Sequence, residues 1–463
     1  MEHHPYIPNA SEAAIKRLLQ EIGVASVDDL FSDIPRHLWI DDLPELPPPH
    51  TEYEAKKIVQ ELLSQNSFHP NLKLFLGGGV WLHYIPSVIW HLISRGEFLT
   101  SYTPYQAEIS QGVLQAVFEY QSMICELTGM DVANASMYDW ASALGEAALF
   151  ATRVTKRKTF IIPKNIAPQR KRVLLTYTQP VGIAVKEVSY SRETGLMDLD
   201  DLTSKLDDET SAVYLENPSY LGPIEDRCEE IGEIAHSKGA LFIVGVDPLS
   251  LALLKAPGDY GADVVIGEGQ PLGLPPSFGG PLLGIFACRD DMKLIRQMPG
   301  RIVGLTTTKD GQRRAFTLAL TTREQHIRRE RATSNICTNE TLCAIASAIY
   351  MALLGGEGLR ELSKIILCHS HYAMKKLNSI PGVKAPLFDA PHFKDFTVKL
   401  EGAPTKEVYQ LLLKKGIQPG NPLTDSFPEL GESLLLSVTE LHTKDDIDLL
   451  AALMEEVLSK CTQ

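Results

Sequence analysis

The sequence predicts an α/β protein: a large domain on a mostly parallel sheet with helices on both faces, a small α+β domain behind it and a helical arm in front. Three observations carry that reading. Between Val173 and Ala287, short apolar runs (VLLTY, AVKEVSY, AVYLENP, ALFIV, DVVI, LLGIFA) are interleaved with a helical stretch, CEEIGEIAHSKG, the alternation that parallel strands with crossovers require. The length, 463 residues, is more than one core ordinarily fills, so a large domain with smaller pieces is expected. Apolar and charged shares of 44% and 22% are those of an ordinary soluble globular chain.

Residues 1–70 read as the arm. Ser11 can cap AIKRLLQEIG and Ser26 can cap VDDLF, and the proline-rich strap WIDDLPELPPPHTE leads into the helical YEAKKIVQELLSQN. This arm has no catalytic signature and is expected to pack on the domain or on another subunit. The large domain, 71–335, opens with Gly77, Gly78 and Gly79, which permit a sharp turn or a close backbone approach. In SYTPYQAEISQG, Tyr102 and Tyr105 flank a proline, and Gln106, Glu108 and Gln111 follow ahead of a long amphipathic helix. That stretch suits either a structural turn or a ligand-facing loop.

Ser142, Ala143 and Gly145 open a helix of small residues, whose free N–H groups are the expected seat for a phosphate. The same short side chains also suit close helix packing. In open α/β sheets ligands lie beyond the carboxyl ends of the strands, where Glu216, Asn217 and Pro218 fall. After the sheet, Arg323, Arg328, Arg329 and Arg331 concentrate positive charge, and Thr333, Ser334 and Asn335 are read as opening the next helix. Such a loop can hold a phosphate or carboxylate, or be a solvated, salt-bridged surface. The small domain, 336–463, is read as a linking helix from Gly356–Arg360, a strand Phe396–Leu400, a helix Pro404–Lys414, a strand Ser433–Val438 and a last helix capped by Thr443 with Asp446.

Forty-four Lys and Arg against 58 Asp and Glu give a net charge of −14, which argues against nucleic-acid or anionic-membrane partners. The seven cysteines, 125, 228, 288, 337, 343, 368 and 461, are scattered without CxxC spacing, as in a reduced cytoplasmic protein, and no metal site is expected. The N-terminus reads as neither a secretory nor a transit signal, and no uninterrupted apolar run has bilayer-crossing length.

The most informative stretch is Gly239–Cys288: a buried strand (Ala240–Val246), a second (Asp263–Ile266), a glycine- and proline-rich loop and a third strand (Leu282–Ala287). This layout resembles the pocket of pyridoxal-phosphate enzymes of the aminotransferase-like class (fold type I). In that class an aspartate ending the first strand pairs with the pyridine nitrogen, and a lysine after the second holds the cofactor as a Schiff base. On that pattern Gly245 falls at the aspartate position and Pro271 at the lysine position, with Gln270 just before it. Asp247 comes two residues late, and proline has no amine. The cradle is kept and the covalent chemistry lost, which points to a subunit that works beside a competent partner.

FLGGGVWLHYIP, the block from SYTPYQAEISQG to ANASMYDWASALGEAA, ADVVIGEGQPLGLPPSFGGPLLGIFA, MPGRIVG and REQHIRRERATSNICTNE together resemble the glycine decarboxylase P-protein of the glycine cleavage system, over nearly the whole chain. The missing lysine is similar to the N-terminal-half homologue found where that protein is split between two chains. One departure is Gly78 or Gly79, where the family often has alanine. The resemblance implies an α2β2 heterotetramer that decarboxylates glycine on pyridoxal phosphate and passes the aminomethyl group to the lipoyl arm of the H-protein. The cofactor would be held covalently by the second subunit, with no catalytic residue in this chain. Thr333, Ser334 and Asn335 would reach the partner's cofactor phosphate, Tyr102 and Tyr105 would face the substrate, and Ser142 with Ala143 would form a vacant phosphate seat. Cys337, beside the loop, is expected to be packed. Two competing readings are an inert scaffold that only stabilises the partner or docks the H-protein, and a self-sufficient enzyme using Lys255 or Lys309.

Overall fold

The computed structural model describes residues 6–40, 47–67, 72–100, 103–336 and 338–461, in two units, Met1–Ser67 and Phe68–Gln463. In the first unit α1 (Glu12–Ile22) starts at Ser11, whose Oγ accepts from the Ala14 N–H, and stops at Gly23 with φ of 82°. A reciprocal capping box between Thr51 and Glu54 starts α2 (Glu52–Leu63). Neither helix buries a residue, and Leu18, Ile22 and Leu62 stay exposed. Part of the proline-rich strap lies outside the described residues.

The second unit is built on seven strands: β1 (Val132–Ala133), β2 (Thr159–Pro163), β3 (Ala184–Val188), β4 (Thr210–Glu216), β5 (Leu241–Val246), β6 (Val264–Glu268) and β7 (Gly284–Cys288). They lie in the order β1-β7-β6-β5-β4-β2-β3. Strands β3, β2, β4, β5 and β6 are parallel; β7 and β1 add antiparallel at the β6 edge. The central strands are apolar on both faces because both are covered. Phe160, Ile162, Tyr214, Ile243 and Ile266 face one core, shared with α4 (Trp140–Thr155). Ile161, Val213, Leu215, Phe242, Val244 and Val265 face the other, shared with α3 (Gln111–Thr128) and α6 (Cys228–Ser237).

One expected strand is a helix. Val173–Tyr177 lies inside α5 (Pro168–Thr178): Pro168 opens that helix, and Arg170, Leu174 and Thr178, four apart, form its buried face. The sheet position is filled instead by β2, five fully buried residues that sequence reading passed over. Gly145 serves helix packing, since a Cβ there would lie 2.6 Å from the Tyr177 ring on α5.

Beyond the sheet come a hairpin of β8 (Ile302–Thr307) and β9 (Arg314–Ala319) and then α7 (Thr341–Asn378). This helix starts well before Gly356, and residues 333–335 do not open it; Gly355, with φ of 63° and ψ of −178°, breaks its regularity. Among the described residues it is the one helix long and apolar enough to cross a bilayer, yet Ala344, Ile345, Ala346, Ala348, Tyr350 and Met351 are spent on the core. The C-terminal part of the second unit holds a four-stranded antiparallel sheet, β10 (Val383–Lys384), β11 (Asp395–Leu400), β13 (Ser433–Ser437) and β12 (Asn421–Pro422) across it, with α8 (Thr405–Lys414) and α9 (Lys444–Cys461). Thr443 caps α9, its Oγ1 donating to Asp446 Oδ2 at 2.8 Å and accepting from the Asp446 N–H at 3.2 Å. Lys73 and Leu74, at the start of this unit, pair in parallel with Ile417 and Gln418 near its C-terminal end.

Candidate functional site

A cleft lies at the carboxyl ends of β4, β5 and β6, where each strand delivers a buried acid: Glu216, Asp247 and Glu268, exposed by 1%, 4% and 1%. A buried carboxylate survives only if something answers its charge. Arg170 answers Glu216 with two hydrogen bonds of 2.8 Å, from Nε and Nη2, and its guanidinium lies 4.0 Å from the centre of the Trp140 ring. Tyr214 donates its hydroxyl to the same Glu216 and accepts from the Trp140 indole, both at 3.0 Å. Lys394, at the start of β11, answers Asp247 at 2.8 Å and stands 3.8 Å from the centre of the Trp81 ring. Burial and that ammonium push the His83 imidazole down, so its Nε2 accepts from Lys394 at 3.2 Å while Nδ1 donates to Glu440 at 2.8 Å. Among the described residues the third acid, Glu268, has backbone donors only: the N–H groups of Leu283, Gln270 and Trp140, at 2.9, 3.0 and 3.1 Å. Burial pushes it up to about 7.

The glycine run lets the chain close over this cleft. A Cβ on Gly77 would lie 2.3 Å from Asp395 Oδ1, and one on Gly78 (φ of 80°) would lie 2.6 Å from the Tyr220 ring. Gly245, the position expected for the aspartate, sits inside β5, where a Cβ would meet the Tyr214 hydroxyl at 2.2 Å and the Trp140 ring at 2.9 Å. The acid at the end of that strand is Asp247, already paired. Pro271 is buried directly after Gln270, whose amide accepts from Trp81 N at 2.9 Å and donates to Trp81 O at 3.0 Å and Leu274 O at 2.6 Å.

Ser142 and Ala143 do not offer an open anion seat. Asp139 caps α4, its Oδ1 accepting from Ser142 N at 2.6 Å; Trp140 N is held by Glu268, and Ala143 N bonds back to Asp139 O at 3.0 Å. Two of this chain's own acidic side chains, Asp139 and Glu268, take the N–H groups that open α4. Pyridoxal phosphate does not fit here: the cleft's lysine is committed to Asp247, and the N–H groups of Trp140 and Ser142 at its anion seat already donate to Glu268 and Asp139. Lys255 pairs with Glu229 on the surface, and Lys309 is exposed at the turn between β8 and β9. Neither reaches the cleft.

The second expected locus is formed from the residues around α4 and the hairpin. Ser334 Oγ donates to Glu146 Oε1 at 2.9 Å and accepts from Ile336 N at 3.1 Å, so this hydroxyl faces inward. Thr333 is half-buried, its N–H donating to Arg323 O at 3.1 Å, and Asn335 is exposed. Of the arginines, Arg323 is structural, donating to Met298 O and to Gly300 O; burial brings it down to about 10. Arg328, Arg329 and Arg331 are exposed. Tyr105 is half-exposed and packs edge-on against His326 at 5.6 Å. Tyr102 and Cys337 lie outside the described residues. Sequence reading missed Arg170, Trp140, Trp81, Glu268 and Lys394. Glu268 had a signal, an acid ending an apolar run, whereas Lys394 lies far away in sequence and had none.

A family model described as the glycine cleavage system P-protein matches residues 4–454. The chain belongs to that P-protein family. Relatives in it include the probable glycine dehydrogenase (decarboxylating) subunit 1 of Staphylothermus marinus, 52% identical over 99% of both chains, and that of Aeropyrum pernix, 49% identical over 98% of this chain and 99% of the relative. The relative of the same name in Pyrococcus furiosus is 48% identical with equal coverage. A crystal structure of a glycine decarboxylase (P-protein) of the glycine cleavage system, in inhibitor-bound form, superposes with a TM-score of 0.87 at 40% identity, over 99% of this chain and 100% of that one. The sphingosine-1-phosphate lyase of Burkholderia pseudomallei, 15% identical with a TM-score of 0.66 over 92% of this chain and 93% of its own, shares the fold. The P-protein chain therefore has the pyridoxal-phosphate-transferase architecture of fold type I, as its strand pattern predicts.

Proposed function

We propose that this chain is the subunit of a split glycine decarboxylase that lacks the Schiff-base lysine. With a second subunit, in an α2β2 heterotetramer, it decarboxylates glycine and passes the aminomethyl group to the lipoyl group of the H-protein, in the cytoplasm. Pyridoxal phosphate belongs to the second subunit, which supplies its lysine. Relatives named subunit 1 support the pairing. The observation that carries the division of labour is the closed cleft: Lys394 on Asp247, Asp139 and Glu268 at the N-terminus of α4, and Pro271 after β6.

When bound in the partner, the cofactor provides the electron sink that loss of carbon dioxide from glycine needs. This chain's part is positional. Ser334 pins the 333–335 loop to Glu146, and Thr333 and Asn335 are left to donate to the partner's phosphate. Tyr105, with Tyr102 three residues before it in sequence, orients the small substrate. The arm, residues 1–70, gives its exposed apolar faces to the partner.

Exchange of labelled carbon dioxide into glycine, with lipoylated H-protein present, tests the proposal. Activity is expected only when both subunits are mixed. Turnover by this chain alone at a comparable rate would overturn it.

A further inference from the structure

Arg301 is 3% exposed, and two of its nitrogens, Nε and Nη1, are buried without a hydrogen-bond partner among the described residues. A guanidinium kept out of water with donors unsatisfied lowers stability, so its position calls for another explanation. What it does engage is Tyr105: Nη2 donates to the phenol oxygen at 2.6 Å, and the guanidinium carbon lies 4.8 Å from the ring centre. Glu324 approaches Nε at 3.5 Å and His326 at 3.7 Å, and the His326 ring packs edge-on against Tyr105. A half-exposed tyrosine is thus clamped from behind by a buried cation and from the side by an imidazole. Because Arg301 uses the phenol's lone pair, the hydroxyl proton is directed to whatever docks from outside.

We infer that Arg301 is a positioning residue for glycine: it acts through Tyr105, fixing the ring and turning its hydroxyl into an outward donor for the substrate carboxylate. The inference rests on the proposed substrate-facing role of Tyr105. Glu324 and His326 complete the clamp and make no separate contribution to substrate. The geometry explains why arginine is required, since one side chain both stacks on the ring and reaches past its edge to the oxygen.

A double-mutant cycle in the reconstituted two-subunit enzyme tests it, reading glycine KM and kcat separately with lipoylated H-protein saturating. Arg301→Gln is expected to raise glycine KM about tenfold, the loss of one charge-assisted hydrogen bond, with kcat within about twofold. Tyr105→Phe is expected to do the same, and Arg301→Gln in the Tyr105→Phe background to add less than about twofold. Arg301→Lys, keeping a cation and one donor, recovers part of the loss. If Tyr105→Phe leaves KM unchanged, the role of Tyr105 itself fails. If Tyr105→Phe raises KM but Arg301→Gln is silent or fully additive, the link between them fails while that role stands. Should Arg301→Gln prevent assembly, the cycle run with Arg301→Lys decides on the same criterion: non-additivity supports the link and additivity overturns it.

Discussion

Removing the Lys394 ammonium is the sharpest way to ask whether the cleft is closed from within. Lys394 and Asp247 have side-chain exposures of 1% and 6% and meet at 2.8 Å. In Lys394→Met the stem volume is kept, but among the described residues Asp247 then retains only the Leu249 N–H, at 3.2 Å from Oδ1. A carboxylate left buried and unpaired is expected to cost about 3–5 kcal/mol. Replacing both partners, in Lys394→Met with Asp247→Leu, removes the stranded charge along with the pair. That variant is therefore expected to recover most of the loss, to within about 1–2 kcal/mol of the parent. Urea unfolding of the purified chain, followed by tryptophan emission, reads both; the midpoint should move with m unchanged. A single variant that loses less than about 1 kcal/mol would show that Asp247 is not committed to Lys394, and so is free for another cation. A double variant less stable than the single would refute the reasoning in the same way.

Pro271→Lys alone should not give this chain a cofactor, because Asp139, Glu268 and Lys394 still close the site; a stoichiometric visible band on adding pyridoxal phosphate would contradict that. Glu268 is raised from 4.5 to about 7 by burial. Its folded form prefers the proton, so its contribution is complete below pH 4.5 and is lost as pH rises through about 7, amounting to about 3 kcal/mol. Glu268→Gln should flatten that part of the stability profile, and an unchanged slope between pH 5 and 8 would count against it. Ser334→Ala strips the partner from a buried Glu146 carboxyl that burial already holds above its usual range, so it should destabilise the chain by about 1–3 kcal/mol. Thr333→Ala should leave stability alone and weaken cofactor retention by the assembled enzyme; equal cofactor affinity would remove Thr333 from the contact.

Strands β4 to β7 were legible because they are buried along their whole length, which writes them as apolar runs between helices. Val173–Tyr177 was misread because its apolar residues look like a strand when the Pro168 start signal is ignored, and Thr159–Pro163 was overlooked with it. The reading of Pro271 as the Schiff-base lysine position rests on the strand pattern, and the structure shows that residue buried directly after Gln270. What fills the cleft was not readable. Trp81, Arg170 and Lys394 come from segments before, beside and far beyond the sheet, and only the fold brings Lys394 onto Asp247 and Trp81, and Arg170 onto Glu216 and Trp140. Likewise Ser334 sits in a run that suggests phosphate contact, yet its hydroxyl turns inward because Glu146, distant in sequence, needs a donor.

Borohydride reduction of the two-subunit enzyme loaded with pyridoxal phosphate, followed by peptide mass spectrometry, tests the central claim most directly. One reduced phosphopyridoxyl-lysine per pair of subunits is expected, on the second subunit, with no site-specific adduct on this chain. A stoichiometric adduct on a single lysine of this chain, Lys394 included, would contradict it.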